Sequence, residues 1–213
     1  MGPGVIRVLI ADDHPLVRSG LRQVLAPEPD FAVPGEAEDS EQAVKSVDEQ
    51  SWDVVLLDIS MPGRGGLDAL REIRRRRPTL PVLILSMHSE DQFAIRAIKA
   101  GASGYLSKVH PPSEVIRAIR RVITGKRYVT STLAEALANV VESGSARPHE
   151  TLSDREFQVM CEIAAGKTVS EIAARISLSV KTVSTYRARA LEKMSMRTNA
   201  ELTRYAIENG LVD

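Results

Sequence analysis

The chain is poor in several features that would announce a function by themselves. It has one cysteine, Cys161, so no disulfide can form within it. Cys161 stands in FQVMCEIAAG in helical register with Phe157 and Ala164, the place of a core residue rather than a nucleophile. The four histidines, at 14, 88, 110 and 149, lack metal-ligand spacing. Basic and acidic residues balance at 28 each, so any affinity for nucleic acid must be local. No apolar run approaches the ~18 residues of a membrane span. The short apolar stretch near the start runs straight into Asp12 and Asp13, unlike a signal peptide. A composition of 43% hydrophobic and 26% charged residues is that of a globular protein, expected in the cytoplasm without a membrane partner.

What is present falls into two textures. From residue 5 to about 123, strand-like runs alternate with helical patterns: 5–11, 31–38, 53–58, 81–86 and 104–107, with helices beginning near Leu16, Ser40, Leu67, Asp91 and Ser113. Such alternation predicts an α/β fold, a five-stranded parallel doubly wound sheet of flavodoxin-like type. The third and fourth strands are almost wholly apolar, which implies burial on both faces. A linker is expected over 126–150, with a helix at about 130–141 followed by the polar ESGSARPHE. Residues 151–213 show no strand pattern and predict an all-α domain of four short helices. Three of its helix starts, Ser153–Glu156, Thr168–Glu171 and Thr198–Glu201, carry the capping-box spacing. The fourth starts at Ser179, which alone can cap a helix, and has Thr182, not an acid, at the third position; a Glu there would sit near nucleic-acid phosphates, which an uncapped helix N-terminus attracts.

In an open parallel sheet, ligands bind beyond the carboxyl ends of the strands. Those ends hold Asp12 and Asp13, Asp58, Ser86 and, after the fifth strand, Lys108. Three clustered carboxylates raise one another's pKa unless a cation compensates them, and oxygen ligands suit Mg2+. Lys108 and the Ser86 hydroxyl would supply a charge and a donor to phosphoryl oxygens. Together these residues read as a carboxylate, Asp58, poised to accept phosphate beside a divalent metal held by Asp12 and Asp13.

The second half holds a helix, a tight turn at 177–179 and a further helix over 180–194, with Ile172, Ala173, Ile176, Leu178, Val180 and Val183 as the apolar seam. This is the pattern of a helix-turn-helix, whose second helix enters a DNA major groove. Over 181–197, Lys181, Arg187, Arg189, Lys193 and Arg197 stand against Glu192 alone, the local excess that phosphate contacts require.

ADDH, LLDISMPGRGG, ILSMHS and GYLSK resemble, in order and spacing, the receiver domains of two-component response regulators. The resemblance implies Asp58 as phosphoacceptor and Mg2+, or Mn2+, held by Asp12, Asp13, Asp58 and the Ser60 carbonyl. It also implies Ser86 and Tyr105 as a switch pair and Lys108 as phosphate partner. Val109 replaces the proline that often follows the lysine in a cis bond, and bulky Met87 replaces the usual small residue, where it would either narrow access to Asp58 or pack as an ordinary apolar surface residue. TLSDREFQVMCEIAAGKTVSEIA and SVKTVSTYRARALEKM are similar to the LuxR-type helix-turn-helix. That likeness implies Ser184, Thr185 and Ala188 at base edges, with Lys181, Thr182, Arg187 and Arg189 at phosphates or the groove wall. Tyr186 stands where that family often has histidine.

Both halves together resemble the NarL/FixJ response regulators. The expected protein is a transcription regulator, not an enzyme, phosphorylated on Asp58 by a sensor histidine kinase and binding promoter DNA as a homodimer. Phosphorylation would draw Ser86 inward, let Tyr105 rotate and so free or dimerise the DNA-binding half. Within the last helix, Leu202, Tyr205 and Ala206 form a stripe, part core and part dimer contact. The alternative is a phosphorylation-independent DNA-binding regulator whose receiver serves only to dimerise. A phosphatase of haloacid-dehalogenase type would need a second acid two residues after Asp58, where Ser60 stands.

Overall fold

The computed structural model describes residues 4–62, 65–87, 90–135, 138 and 147–212, with side chains left out at 90–92. It divides into two compact units, Met1–Ala134 and Glu135–Asp213.

The first unit alternates β1 (Ile6–Ala11), α1 (Pro15–Leu25), β2 (Phe31–Ala37), α2 (Ser40–Glu49), β3 (Val54–Asp58), α3 (Gly66–Arg76), β4 (Val82–Ser86), α4 (Glu90–Lys99), β5 (Gly104–Ser107) and α5 (Pro112–Val122). All neighbouring strands run parallel, in the order β2-β1-β3-β4-β5. The expected doubly wound sheet is present. Every residue of β3 and β4 is buried, because helices lie on both faces. On one face Val8, Ile10, Leu56, Leu83 and Leu106 pack with Leu25 of α1 and Val115, Ala118 and Ile119 of α5. The alternate residues Leu9, Val55, Leu57 and Ile84 are equally buried on the other, where α2, α3 and α4 pack.

Local chemistry sets the helix starts. Proline occupies the first turn of α1 and of α5, where a missing N–H costs nothing. Asp39 caps α2 by accepting from the Glu41 and Gln42 amides. At α3 the cause is tertiary: a Cβ on Gly66 would lie 2.0 Å from the Asp58 carbonyl oxygen, so only glycine lets this helix start so close to the strand end.

The second unit holds α6 (Asp154–Ala164), α7 (Val169–Arg175), α8 (Val180–Lys193) and α9 (Asn199–Glu208), preceded by a 3-10 turn over Pro148–Thr151. The capping boxes expected at α6, α7 and α9 are formed. Val159, Ile163, Ile172, Ala173, Ile176 and Val183 make the core, and Cys161 is buried. Val180 was expected in this seam but, at the first position of α8, is 50% exposed. Of the expected stripe on α9, Leu202 and Ala206 are fully buried within the unit, while Tyr205 is half-buried with its hydroxyl 2.9 Å from Nδ1 of His149. Of the expected helix at 130–141, residues 131–135 and 138 are helical, and the others fall outside the described residues except Thr130, which precedes it.

Candidate functional site

Strand register assembles the acidic site. Ala11 pairs with Leu57, Asp58 with Leu85, and Ser86 with Ser107, so the residues at and just after these positions share one edge. Two backbone bonds extend the edge: the Asp12 amide donates to the Ala37 carbonyl at 3.0 Å, and the Lys108 amide to the Ser86 carbonyl at 2.7 Å. The side chains of Asp12 and Asp58 are each 2% exposed. Lys108 Nζ lies 2.6 Å from Asp12 Oδ2 and 3.2 Å from Asp58 Oδ2. This ammonium is the countercharge of the buried acids.

It does not satisfy them. Both Asp58 carboxylate oxygens, Oδ2 of Asp12 and Oδ1 of Asp13 are buried without an aligned hydrogen bond. Burial pushes the Asp58 carboxyl up to about 6, and Asp12 adds to the rise. Lys108 and the Ser60 amide oppose it and lose. Asp12, Asp13, His14 and Asp58 each bring a ligand atom to within 4.8 Å of the others. Orphaned buried oxygens in such a cluster fit a hard divalent cation, and receiver domains bind Mg2+ at an acidic pocket of this kind.

His14 joins this cluster although no histidine stands at metal-ligand spacing in the sequence. Its Nδ1 lies 2.8 Å from Asp13 Oδ1 and 3.3 Å from Asp12 Oδ1. Asp12 and Asp13 directly precede it in the chain, and the third acid, Asp58, comes from β3. Arg18 was not singled out in the sequence. This buried guanidinium donates to the Asp12 carbonyl at 2.7 Å and pairs with Glu36 at 2.8 Å and Glu38 at 2.7 Å, tying the end of β1 to β2. Ser86 and Tyr105 are wholly buried. Met87, expected either to crowd the entrance or to pack on the surface, is 60% exposed. His88 lies outside the described residues.

In the second unit, α7, a turn and α8 form the helix-turn-helix. The turn needs Ser177 at φ 53°, where the Leu178 amide closes on the Ala173 carbonyl at 3.0 Å. Lys181, Ser184, Thr185, Ala188 and Arg189 are exposed along α8, while Thr182 and Arg187 are half-buried. Arg187 Nε donates to Asn199 Oδ1 at 2.6 Å, which ties α8 to α9. Tyr186 packs against the core cluster. Ser179 caps α8 without an acid at the third position: the Thr182 amide donates to the Ser179 hydroxyl at 3.1 Å.

Residues 8–120 match the family described as response regulator receiver domain, and residues 150–206 match bacterial regulatory proteins of the luxR family. Response regulator UvrY of Escherichia coli K12 is 43% identical over 209 residues, 97% of this chain and 96% of its own. Response regulator GacA of Pseudomonas aeruginosa is 39% identical over 211 residues, 98% and 99% of the two chains. Among solved structures, an RcsB response regulator of Salmonella typhimurium is similar with a TM-score of 0.67 and 28% identity, over 97% of this chain and 98% of that one. RcsB of Salmonella enterica serovar Typhimurium bound to promoter rprA in the presence of phosphomimetic BeF3- gives a TM-score of 0.63 at 26% identity, over 94% and 97%. No helix among the described residues is long and apolar enough to cross a membrane. The chain belongs to the two-component response regulators of the NarL/FixJ type, phosphorylation-dependent transcription regulators in which a receiver precedes a LuxR-type DNA-binding domain.

Proposed function

We propose that Asp58 is the phosphoacceptor and that a sensor histidine kinase is its donor in the cytoplasm. One observation carries this reading: a buried carboxylate with both oxygens free of aligned hydrogen bonds, beside an ammonium and a second buried acid. With its pKa near 6, Asp58 is mostly ionised at neutral pH and keeps a lone pair for attack. In the transfer, an Asp58 oxygen bonds to phosphorus as the bond from phosphorus to the donor nitrogen breaks. The electron pair returns to the imidazole, which takes a proton.

Lys108 Nζ stands on the Asp58 Oδ2 side to meet the new phosphoryl oxygens, and the Ser86 hydroxyl is the second donor. Asp12, Asp13, Asp58 and the Ser60 carbonyl would hold Mg2+, or Mn2+ in its place. A bound cation would neutralise the acids and the phosphoryl charge. Ser86, turning toward the phosphate, would vacate space for Tyr105, and the change at β5 would alter the DNA-binding half.

That half acts on promoter DNA as a homodimer, with α8 in the major groove. Ser184, Thr185 and Ala188 would face base edges; Lys181, Thr182, Arg187 and Arg189 would contact phosphates or the groove wall. Ile207, 57% exposed on α9, replaces the buried Leu202 and Ala206 as the apolar candidate for the dimer contact.

The test uses a small phosphodonor and the intact chain. Mass should rise by one phosphoryl group only when Mg2+ is present, with tighter promoter binding and a larger oligomer. Asp58→Ala should remove all three. Wild-type uptake that persists in Asp58→Ala would overturn the assignment; uptake without any change in DNA binding would favour a receiver that only dimerises.

A further inference from the structure

We propose that His14 is a nitrogen ligand of the cation site and makes it prefer imidazole-accepting transition ions, such as Mn2+ and Ni2+, over Mg2+. The inference rests on the reading that Asp12, Asp13 and Asp58 hold a divalent ion. It adds to that site a ligand of a different chemical kind.

The backbone places His14 for this role. It occupies the N-cap position of α1, yet its side chain makes no capping bond, so the helix does not use the ring. The His14 amide donates to Asp12 Oδ1 at 2.9 Å, a tight turn that fixes the residue beside the acid. The ring then folds over the two aspartates, with Nδ1 at 2.8 Å from Asp13 Oδ1 and 3.3 Å from Asp12 Oδ1. Asp12 divides its oxygens accordingly: Oδ2 goes to Lys108, and Oδ1 faces His14.

The cluster has the span of one coordination sphere. Metal–ligand bonds of about 2.0–2.4 Å place opposite ligands roughly 4–5 Å apart. The ligand atoms of Asp12, Asp13, His14 and Asp58 lie within 4.8 Å of one another. Asp58 points independently to a ligand, since its side chain is 2% exposed and neither oxygen has an aligned hydrogen bond, with Lys108 at 3.2 Å from Oδ2 alone. The His14 side chain is 64% exposed and so free to turn its ring nitrogen onto an arriving ion.

Ligand type decides selectivity. Mg2+ takes oxygen and keeps its waters, so losing an imidazole changes little for it. Along the first-row series, affinity for a site containing imidazole climbs from Mn2+ to Ni2+. Three carboxylates and one imidazole therefore discriminate between the two classes of ion where three carboxylates alone discriminate weakly.

The experiment titrates the intact protein with Mg2+, Mn2+ and Ni2+, each alone, by calorimetry in a non-chelating buffer. Pulsed electron paramagnetic resonance of bound Mn2+ looks for coupling to an imidazole nitrogen. His14→Gln should lower Ni2+ affinity at least about tenfold, leave Mg2+ within about twofold, and abolish the nitrogen coupling. His14→Ala should do the same, which separates loss of the nitrogen from any effect of the glutamine side chain. Nitrogen coupling that survives in His14→Gln, or an unchanged ratio of Ni2+ to Mg2+ affinity, overturns the proposal. Asp13→Asn distinguishes this failure from that of the underlying reading: if it leaves Mg2+ and Ni2+ binding intact, the acidic site holds no cation at all.

Discussion

Asp58→Asn should make the receiver more stable, although it removes the group on which signalling depends. The carboxyl is held near pKa 6 by burial, against 3.8 for an ordinary aspartate. At about 1.4 kcal/mol per pH unit, that difference is about 3 kcal/mol of native-state cost once both states are ionised. The sign follows from proton binding. Between 3.8 and 6 the folded chain holds this proton more tightly than the unfolded one, so stability falls as pH rises through that window and is flat above it. The size is about that of burying one large apolar side chain, so the surrounding core can sustain it. Asparagine mimics the neutral acid and should recover most of the loss at pH 7.5 and roughly half at pH 5. Trp52, the single tryptophan, is buried in the first unit, so its fluorescence reports receiver unfolding in urea within the intact chain. Measurements in EDTA at pH 7.5 should place the variant about 3 kcal/mol above wild type with an unchanged slope against urea. Saturating Mg2+ should narrow the gap, since at a hundred times its Kd a ligand of the native state adds about 2.7 kcal/mol. Equal stability in EDTA at pH 7.5, or an advantage independent of pH, would refute the reasoning.

Three further outcomes are expected. Gly66→Ala should destabilise the receiver by about 2 kcal/mol or more and slow phosphoryl uptake, because its Cβ would meet the Asp58 carbonyl oxygen at 2.0 Å; urea unfolding and intact mass check it. Arg18→Met should cost about 1–3 kcal/mol by leaving the Asp12 carbonyl without its buried donor, while Glu36 keeps Arg22 at 3.0 Å; the same Trp52 transition reads it. Lys181→Ala should weaken all DNA comparably and reduce the salt slope by about one, whereas Ser184 or Thr185 substitutions should change the preferred sequence by about 1–3 kcal/mol per contact. Selection from random DNA separates the two classes, and identical preferences in the Ser184 and Thr185 variants would contradict the docking of α8.

Much of the molecule was legible without coordinates because its signals are local. Alternating apolar runs and helical periods suffice for β1 to α5, since a strand buried on both faces, such as VVLLD, admits few polar residues. Capping boxes are written within four residues, and all three expected from the spacing are formed. Asp12, Asp58, Ser86 and Lys108 were foreseeable as neighbours because parallel strands deliver their carboxyl ends to one edge. Tertiary structure alone decided the rest. Arg18 reaches the Asp12 carbonyl only after α1 folds back beside β2, and His14 joins the acids only where the turn after β1 bends its ring over them. Val180 shares the helical pattern of the seam yet is 50% exposed, since at the first position of its helix it has no preceding helical turn to cover it. Within the stripe of Leu202, Tyr205 and Ala206, Tyr205 meets His149, 56 residues earlier in the chain. Periodicity reports that a side chain needs burial; which surface buries it is settled by elements distant in sequence, and no local pattern encodes their approach.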